Sequence, residues 1–261
     1  MLKYLQSFGG YFYLSYFCSV LFSYYTMISI ENVTFGYNKY HNVLENFSLQ
    51  FKKGGVYGLL GKNGTGKSTL LYLMMGLLRP KQGEVRVDGV LASQRLPEML
   101  QEMFIVPEEY DLPHISFKQY VKSLKPFYPK FSDELLEHCL SGFDMSKDIN
   151  LGALSMGQKK KVYMCLALAT NTDYLLMDEP TNGLDILSKS QFRKVVIEGM
   201  SEDKTIIIST HQVHDVERML DHVCIIEPNK LLLDAPLVEG DEPIDLEKLF
   251  IETLTNKKVE D

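Results

Sequence analysis

Residues Gly61 to Thr69 read Gly-Lys-Asn-Gly-Thr-Gly-Lys-Ser-Thr, and no other stretch limits the possible folds as strongly. An apolar run, Val56 to Leu60, precedes it and suits a buried strand. Leu70, Leu71, Leu73, Met74 and Leu77 follow at helical spacing. Strand, glycine-rich loop and helix is the context of a phosphate-binding loop. Gly61, Gly64 and Gly66 let the backbone turn tightly and approach an anion with no Cβ between. The helix that follows directs free N–H groups and its positive dipole end at the phosphates. In such a loop Lys67 reaches the β- and γ-phosphates, and the Ser68 hydroxyl is a Mg²⁺ ligand. The bland alternative is a Gly/Ser turn, which does not call for the full pattern in this context.

The chain has 261 residues, enough to bury a large core as one big domain or a core with a subdomain. Apolar residues at 45% and charged residues at 23% are those of an ordinary globular protein. A net charge of -7 gives no support to a nucleic-acid surface. Cys18, Cys139, Cys165 and Cys224 show no close pairing and no metal-ligand spacing. They read as reduced thiols buried as small hydrophobes.

Ile28 to Phe35 and Val43 to Phe51 alternate well enough for two strands, with Gly36 to Asn42 as the turn. Tyr37 lies in that turn; on spacing alone it is a surface tyrosine. Gly76 to Pro80 closes the helix after the phosphate loop, and Glu84 to Val87 is a short strand before an Asp88-Gly89 turn. A strand ends near Phe104 to Pro107. Ile115 to about Asn150 reads helical, broken at Pro126 and Pro129. Ser155 is a good N-cap for an amphipathic helix through Val162, Leu166 and Ala169. Tyr174 to Met177 is a buried strand ending in Asp178-Glu179-Pro180, and a carboxylate there sits where α/β ligands bind. Thr205 to Ser209 is a third apolar strand with His211 just past its end. His222 to Asp234 reads as a hairpin, and Asp245 to Leu254 as a closing helix.

Taken together, the order is phosphate loop, Leu154-Ser155-Met156-Gly157-Gln158, an apolar strand with Asp178-Glu179, Asp185, and the strand-end His211. That order resembles the ATP-binding subunits of ABC transporters, over about Ile28 to Phe250. The resemblance implies an α/β fold: a phosphate-loop NTPase core with a RecA-like parallel sheet, an antiparallel β subdomain and an inserted helical subdomain. It implies an ATPase domain over residues 27–240, with the helical insertion at about 95–165 and a C-terminal helix and tail at 241–261. Position by position, Gly61, Asn63, Gly64, Thr65, Gly66, Lys67, Ser68 and Thr69 would hold ATP, and Tyr37 would stack on its adenine. Ser68, Asp178 and Glu108 would hold Mg²⁺. Glu179 would act as general base, and His211 would contact the γ-phosphate. Ser155, Gly157 and Gln158 would cap the ATP of a partner subunit in trans, and Asp185 would link the two sites. Partners implied are a second ATPase subunit and a membrane permease, at the cytoplasmic face; no nucleic acid is expected.

Two departures stand out. Met156 replaces the usual first glycine of the signature, with weak consequences expected. Glu108 replaces the family's glutamine; a carboxylate is a good hard-oxygen ligand but adds charge beside a triphosphate. The C-terminal Asp245 to Phe250 looks like the closing helix of antibiotic- and drug-exporter ATPases, so export is favoured over import. The competing reading is a soluble ABC ATPase acting on ribosomes or nucleic acid, which usually carries two cassettes or a long coiled-coil insert. Residues 1–26 lack charge after Lys3 and are dense in Tyr and Phe. They read as a membrane anchor, a permease-contacting tail, or upstream sequence with Met27 as the true start; the last is preferred.

Overall fold

The structure, a computed structural model, describes residues 27–237 and 245–255. The readings of residues 1–26 and of the tail beyond 255 fall outside them.

Two sheets organise the chain. The smaller has four strands in the order β2-β1-β4-β5: β1 (Met27–Phe35), β2 (Leu44–Lys52), β4 (Gln82–Val87) and β5 (Val90–Leu91), all paired antiparallel. Alternating Leu44, Phe47, Leu49 and Phe51 on β2 turn one face inward, the period of a half-buried strand. The turn Asp88-Gly89 has both residues at positive φ, +47° and +77°, the geometry that lets a two-residue hairpin follow the strand twist.

The larger sheet has the order β10-β9-β3-β8-β7-β6. Its strands are β3 (Gly55–Leu60), β6 (Met103–Val106), β7 (Tyr174–Asp178), β8 (Thr205–Thr210), β9 (His222–Glu227) and β10 (Lys230–Pro236). All pairs are parallel except β10 with β9. Parallel strands covered on both faces carry nearly unbroken apolar runs, and Leu175, Leu176, Met177, Ile206, Ile207 and Ile208 are at most 1% exposed.

The α-helices are α1 (Lys67–Met74), α2 (Pro97–Leu100), α3 (Phe117–Leu124), α4 (Asp133–Gly142), α5 (Met156–Ala169), α6 (Ile186–Glu198) and α7 (Leu246–Thr255). Helix α1 is shorter than its leucines suggest. It ends at Met74, Gly76 follows in the left-handed region at φ +64°, and Leu77 is half exposed. Helices α3 and α4 form the insertion between β6 and α5. The span of 95–165 expected for it also takes in β6, which hydrogen-bonds to β7 inside the large sheet. Phe117, Leu136, Cys139, Leu140 and Phe143 pack into the same core as α5 and that sheet. Among the described residues, no helix is long and apolar enough to cross a membrane.

Candidate functional site

The C-terminal ends of β3, β7 and β8 lie side by side, and the chemistry collects there. The phosphate loop leaves β3 and enters α1 through Gly66, held at φ +101°, a conformation that glycine adopts without steric penalty. No side chain caps α1 and no acidic residue occupies its first turn. Its opening N–H groups are therefore presented to an anion rather than used internally. Lys67 is 6% exposed; its Nζ donates to the carbonyls of Gly61 at 2.9 Å and Lys62 at 3.3 Å. The ammonium is thus folded back over the loop and lies 3.5 Å from Glu179 Oε1.

Glu179 is buried and takes positive φ, +44°, directly after β7. A non-glycine residue in that region is held by its surroundings, and such strain clusters at functional sites. Its N–H donates to Ser209 O at 2.9 Å. Its Oε2 accepts from Thr210 Oγ1 at 3.0 Å, and its Oε1 lies 2.8 Å from His211 Nδ1. The β8 end therefore grips both the backbone and the carboxylate of Glu179. Asp178 pairs in register with Ser209, whose hydroxyl donates to the Asp178 carboxylate. Burial pushes the Asp178 carboxyl above the usual aspartate range, opposed by hydrogen bonds from Ser209 and Ser68. A buried carboxylate held by hydroxyls has the donor chemistry that suits a hard cation.

Tyr37, Val43, Asn63, Gly64, Gly66, Lys67, Ser68, Thr69, Glu108 and Glu179 line one cleft of about 310 Å³. Most of the sequence-predicted residues thus meet in one place. Tyr37 is 64% exposed; its OH lies 3.1 Å from Thr69 Oγ1, and its ring stands edge-on to Phe35 at 5.1 Å. Thr65 is in the same loop, with Oγ1 on Lys62 O at 3.0 Å.

Ser155, Gly157 and Gln158 do not join that cleft. Ser155 caps α5 in a reciprocal box: its Oγ accepts from the Gln158 N–H at 3.3 Å, and Gln158 Oε1 accepts from the Ser155 N–H at 3.0 Å. Met156 beside them is 72% exposed. Gly157 faces a second, smaller cleft with Glu108, Tyr110, Lys160, Asn182 and Gly183. Asp185 caps α6, accepting from the Ser188 N–H at 2.8 Å and Ser188 Oγ at 2.9 Å; these bonds hold its carboxyl below the usual range. Ile186 and Leu187 just after it are exposed.

Glu108 lines both clefts, and its Oε1 accepts from Asn182 Nδ2 at 2.9 Å. Lys160 completes a strap: its Nζ donates to Asn182 O at 2.6 Å and Glu179 O at 3.1 Å. Burial lowers the Lys160 ammonium, while Glu108, Glu179 and Asp178 pull it the other way. Sequence reasoning missed Lys160, Asn182, Ser209 and Thr210. The last two end β8, and their role depends on that strand lying beside the one carrying Asp178. Lys160 gave no signal; its role depends on which loop α5 is packed against.

A parallel sheet with a glycine-rich loop at one strand end and paired carboxylates at another defines a phosphate-loop NTPase. The comparisons narrow this. The sequence profile of the ABC transporter family matches residues 44–182. The ABC transporter ATP-binding protein NatA of Bacillus subtilis (strain 168) is 31% identical over 223 residues, covering 81% of this chain and 90% of NatA. YtrB of the same organism, also an ABC transporter ATP-binding protein, is 31% identical over 195 residues, or 73% of this chain and 66% of YtrB. The bacitracin transport ATP-binding protein BcrA of Bacillus licheniformis is 28% identical, over 81% of this chain and 70% of BcrA. Among solved structures, an ATP-binding subunit of an ABC transporter superposes at TM-score 0.75 with 22% identity, over 88% of this chain and all of that one. The structure of cbiO1 from Clostridium perfringens, part of the transporter complex cbiONQ, superposes at TM-score 0.68 with 26% identity, over 89% of this chain and 93% of that one. The chain belongs to the ABC transporter family, as an ATP-binding protein and an ATPase.

Proposed function

We propose that the chain hydrolyses Mg-ATP in a head-to-tail dimer and drives export through a separate membrane permease. The observation that carries the reading is the Glu179 carboxylate, buried beside Lys67 and held between Thr210 and His211. A carboxylate fixed on two sides at the edge of a phosphate cleft is placed to take a proton from an attacking water. His211 orients that carboxylate and contacts the γ-phosphate. Lys67, the loop amides and the first turn of α1 hold the phosphates, with Asn63, Gly64, Thr65 and Thr69 shaping the loop around them. Tyr37 stacks on the adenine ring, which its exposed π-face suits. Ser68, Asp178 and Glu108 are the oxygens that would hold Mg²⁺, which would neutralise charge that develops between the β- and γ-phosphates.

Ser155, Gly157 and Gln158 lie off this cleft, at the N-terminus of α5, and serve the nucleotide of a second subunit. Asp185 and the exposed Ile186 open α6, at the end that would meet that subunit. Export is supported by the likeness to BcrA, whose name concerns bacitracin transport. Purification of the chain from native membranes tests the transport assignment. A stoichiometric membrane permease is the expected companion; ribosomes or nucleic acid in its place would overturn it.

Glu108 distinguishes this site. Asn182 holds it, so it is tied to the loop after Glu179 rather than to the phosphate loop. A carboxylate facing a triphosphate is repelled unless a cation lies between them. Glu108→Gln is therefore expected to keep hydrolysis, since the amide oxygen still accepts from Asn182 and still ligates a metal. Its affinity for metal-free ATP should rise about tenfold, on the order of the interaction of one near-surface charge. Titration of ATP with and without Mg²⁺ checks this. Equal metal-free affinities in the two proteins would place Glu108 outside the nucleotide's field.

A further inference from the structure

The hairpin β9-β10 forms one edge of the large sheet. His222 pairs with Tyr57 near the start of β3, whereas the phosphate loop leaves the other end of that strand. Three residues of this hairpin converge on one spot. His222 Nε2 lies 2.5 Å from Asp234 Oδ1, and Cys224 Sγ lies 3.6 Å from the same oxygen. One ligand atom from each residue falls within 4.8 Å of the others.

The convergence depends on a bulge. Leu231 pairs with Ile226, but Leu233 pairs with Ile225, so Leu232 is an extra residue in β10. Without it, Leu233 would stand opposite Cys224, and Asp234 would point to the other face. The inserted residue turns Asp234 onto the face that carries Cys224 and, two residues earlier on β9, His222. Bulges re-aim side chains in this way. The Cys224 thiol donates to the Asp234 carboxylate, so all three side chains already share one oxygen. The imidazole is steadied from behind by the Tyr57 ring, at 5.0 Å between centroids.

We propose that His222, Cys224 and Asp234 form a binding site for a zinc-class divalent cation, with a fourth position open to water. Thiolate, imidazole and carboxylate together select a borderline cation over Mg²⁺ or Ca²⁺. Standard Zn–S and Zn–O lengths place sulfur and oxygen about 3.6 Å apart in a tetrahedral site. That matches the Cys224 to Asp234 separation of 3.6 Å. The His222 to Asp234 contact has to open by about 0.9 Å to reach the tetrahedral nitrogen-to-oxygen edge. Both side chains have room for this, at 25% and 40% exposure. On binding, the Cys224 thiol releases its proton to solvent and His222 contributes its neutral lone pair, so affinity rises with pH. The cation would staple the sheet edge and leave the nucleotide cleft alone.

Titration of Co²⁺ into the full chain, with Mg²⁺ in excess to occupy the carboxylates of Glu108, Asp178 and Glu179, tests the site. One equivalent should produce a near-ultraviolet thiolate-to-cobalt absorption band that Zn²⁺ then removes. Cys224→Ser should abolish the band with an unchanged circular-dichroism spectrum. His222→Gln and Asp234→Asn, at the hairpin surface, should keep the thiol but weaken Co²⁺ binding by about tenfold or more. These two variants carry the test even where Cys224→Ser does not fold. No thiolate band, a band that survives in Cys224→Ser, or parent-like affinity in both other variants would overturn the site.

Discussion

Replacing Glu179 by Gln is expected to slow Mg-ATP hydrolysis by about 10²–10⁴-fold while ATP remains bound. The two side chains have nearly the same shape, so the contacts to Thr210 and His211 have replacements available. What the amide loses is the ability to accept a proton from water. It also removes a negative charge 3.5 Å from Lys67, in a site from which water is largely excluded. That loss favours the phosphates in the ground state and does nothing for the chemical step. ATP binding should therefore be retained or tightened, and the unhydrolysed nucleotide should hold the dimer together. Single-turnover hydrolysis and a sizing measurement with ATP check both parts. Hydrolysis at the parent rate would remove Glu179 from the role of base.

Lys67→Ala is expected to lower hydrolysis by about 10²–10³-fold, the cost of removing one preorganised donor from developing charge. Here the loss goes further than one contact. Lys67 Nζ bridges the Gly61 and Lys62 carbonyls, so its removal also frees the loop whose amides would hold the phosphates. It also removes the ammonium that lies 3.5 Å from the buried Glu179 carboxylate. ATP affinity should fall along with turnover, which distinguishes this variant from Glu179→Gln. Nucleotide binding by calorimetry makes the comparison. Unchanged affinity in Lys67→Ala would mean that the ammonium stays on the loop carbonyls when ATP is bound.

Much of this arrangement is legible in the chain because it is local. The phosphate loop announces itself through glycine spacing and flanking periodicity, and the box between Ser155 and Gln158 can be read from adjacent positions. The strand carrying Asp178 and Glu179 is a simple apolar run with acids at its end. Contacts made across the sheet are not legible in this way. Ser209 and Thr210 reach Asp178 and Glu179 only because β8 lies next to β7. Lys160 sits in a run of three lysines and looks like a solvated face, yet its ammonium ties the Glu179 loop to α5. The cysteines showed no metal spacing because Asp234, which joins His222 and Cys224, comes from across a hairpin, in a register that one bulged residue sets. The end of α1 is legible too: Leu77 continues the helical spacing, but Gly76 closes the helix before it.

Mixing Lys67→Ala chains with Gly157→Asp chains tests the head-to-tail dimer most directly. Gly157 has open space around it, so the aspartate fits within its own chain and acts only against a partner's phosphates. A mixed dimer then contains one site with both lesions and one with neither. Each variant alone should be inactive, and hydrolysis should return on mixing. No recovery in the mixture, or full hydrolysis by Gly157→Asp alone, would contradict a site completed by the second subunit.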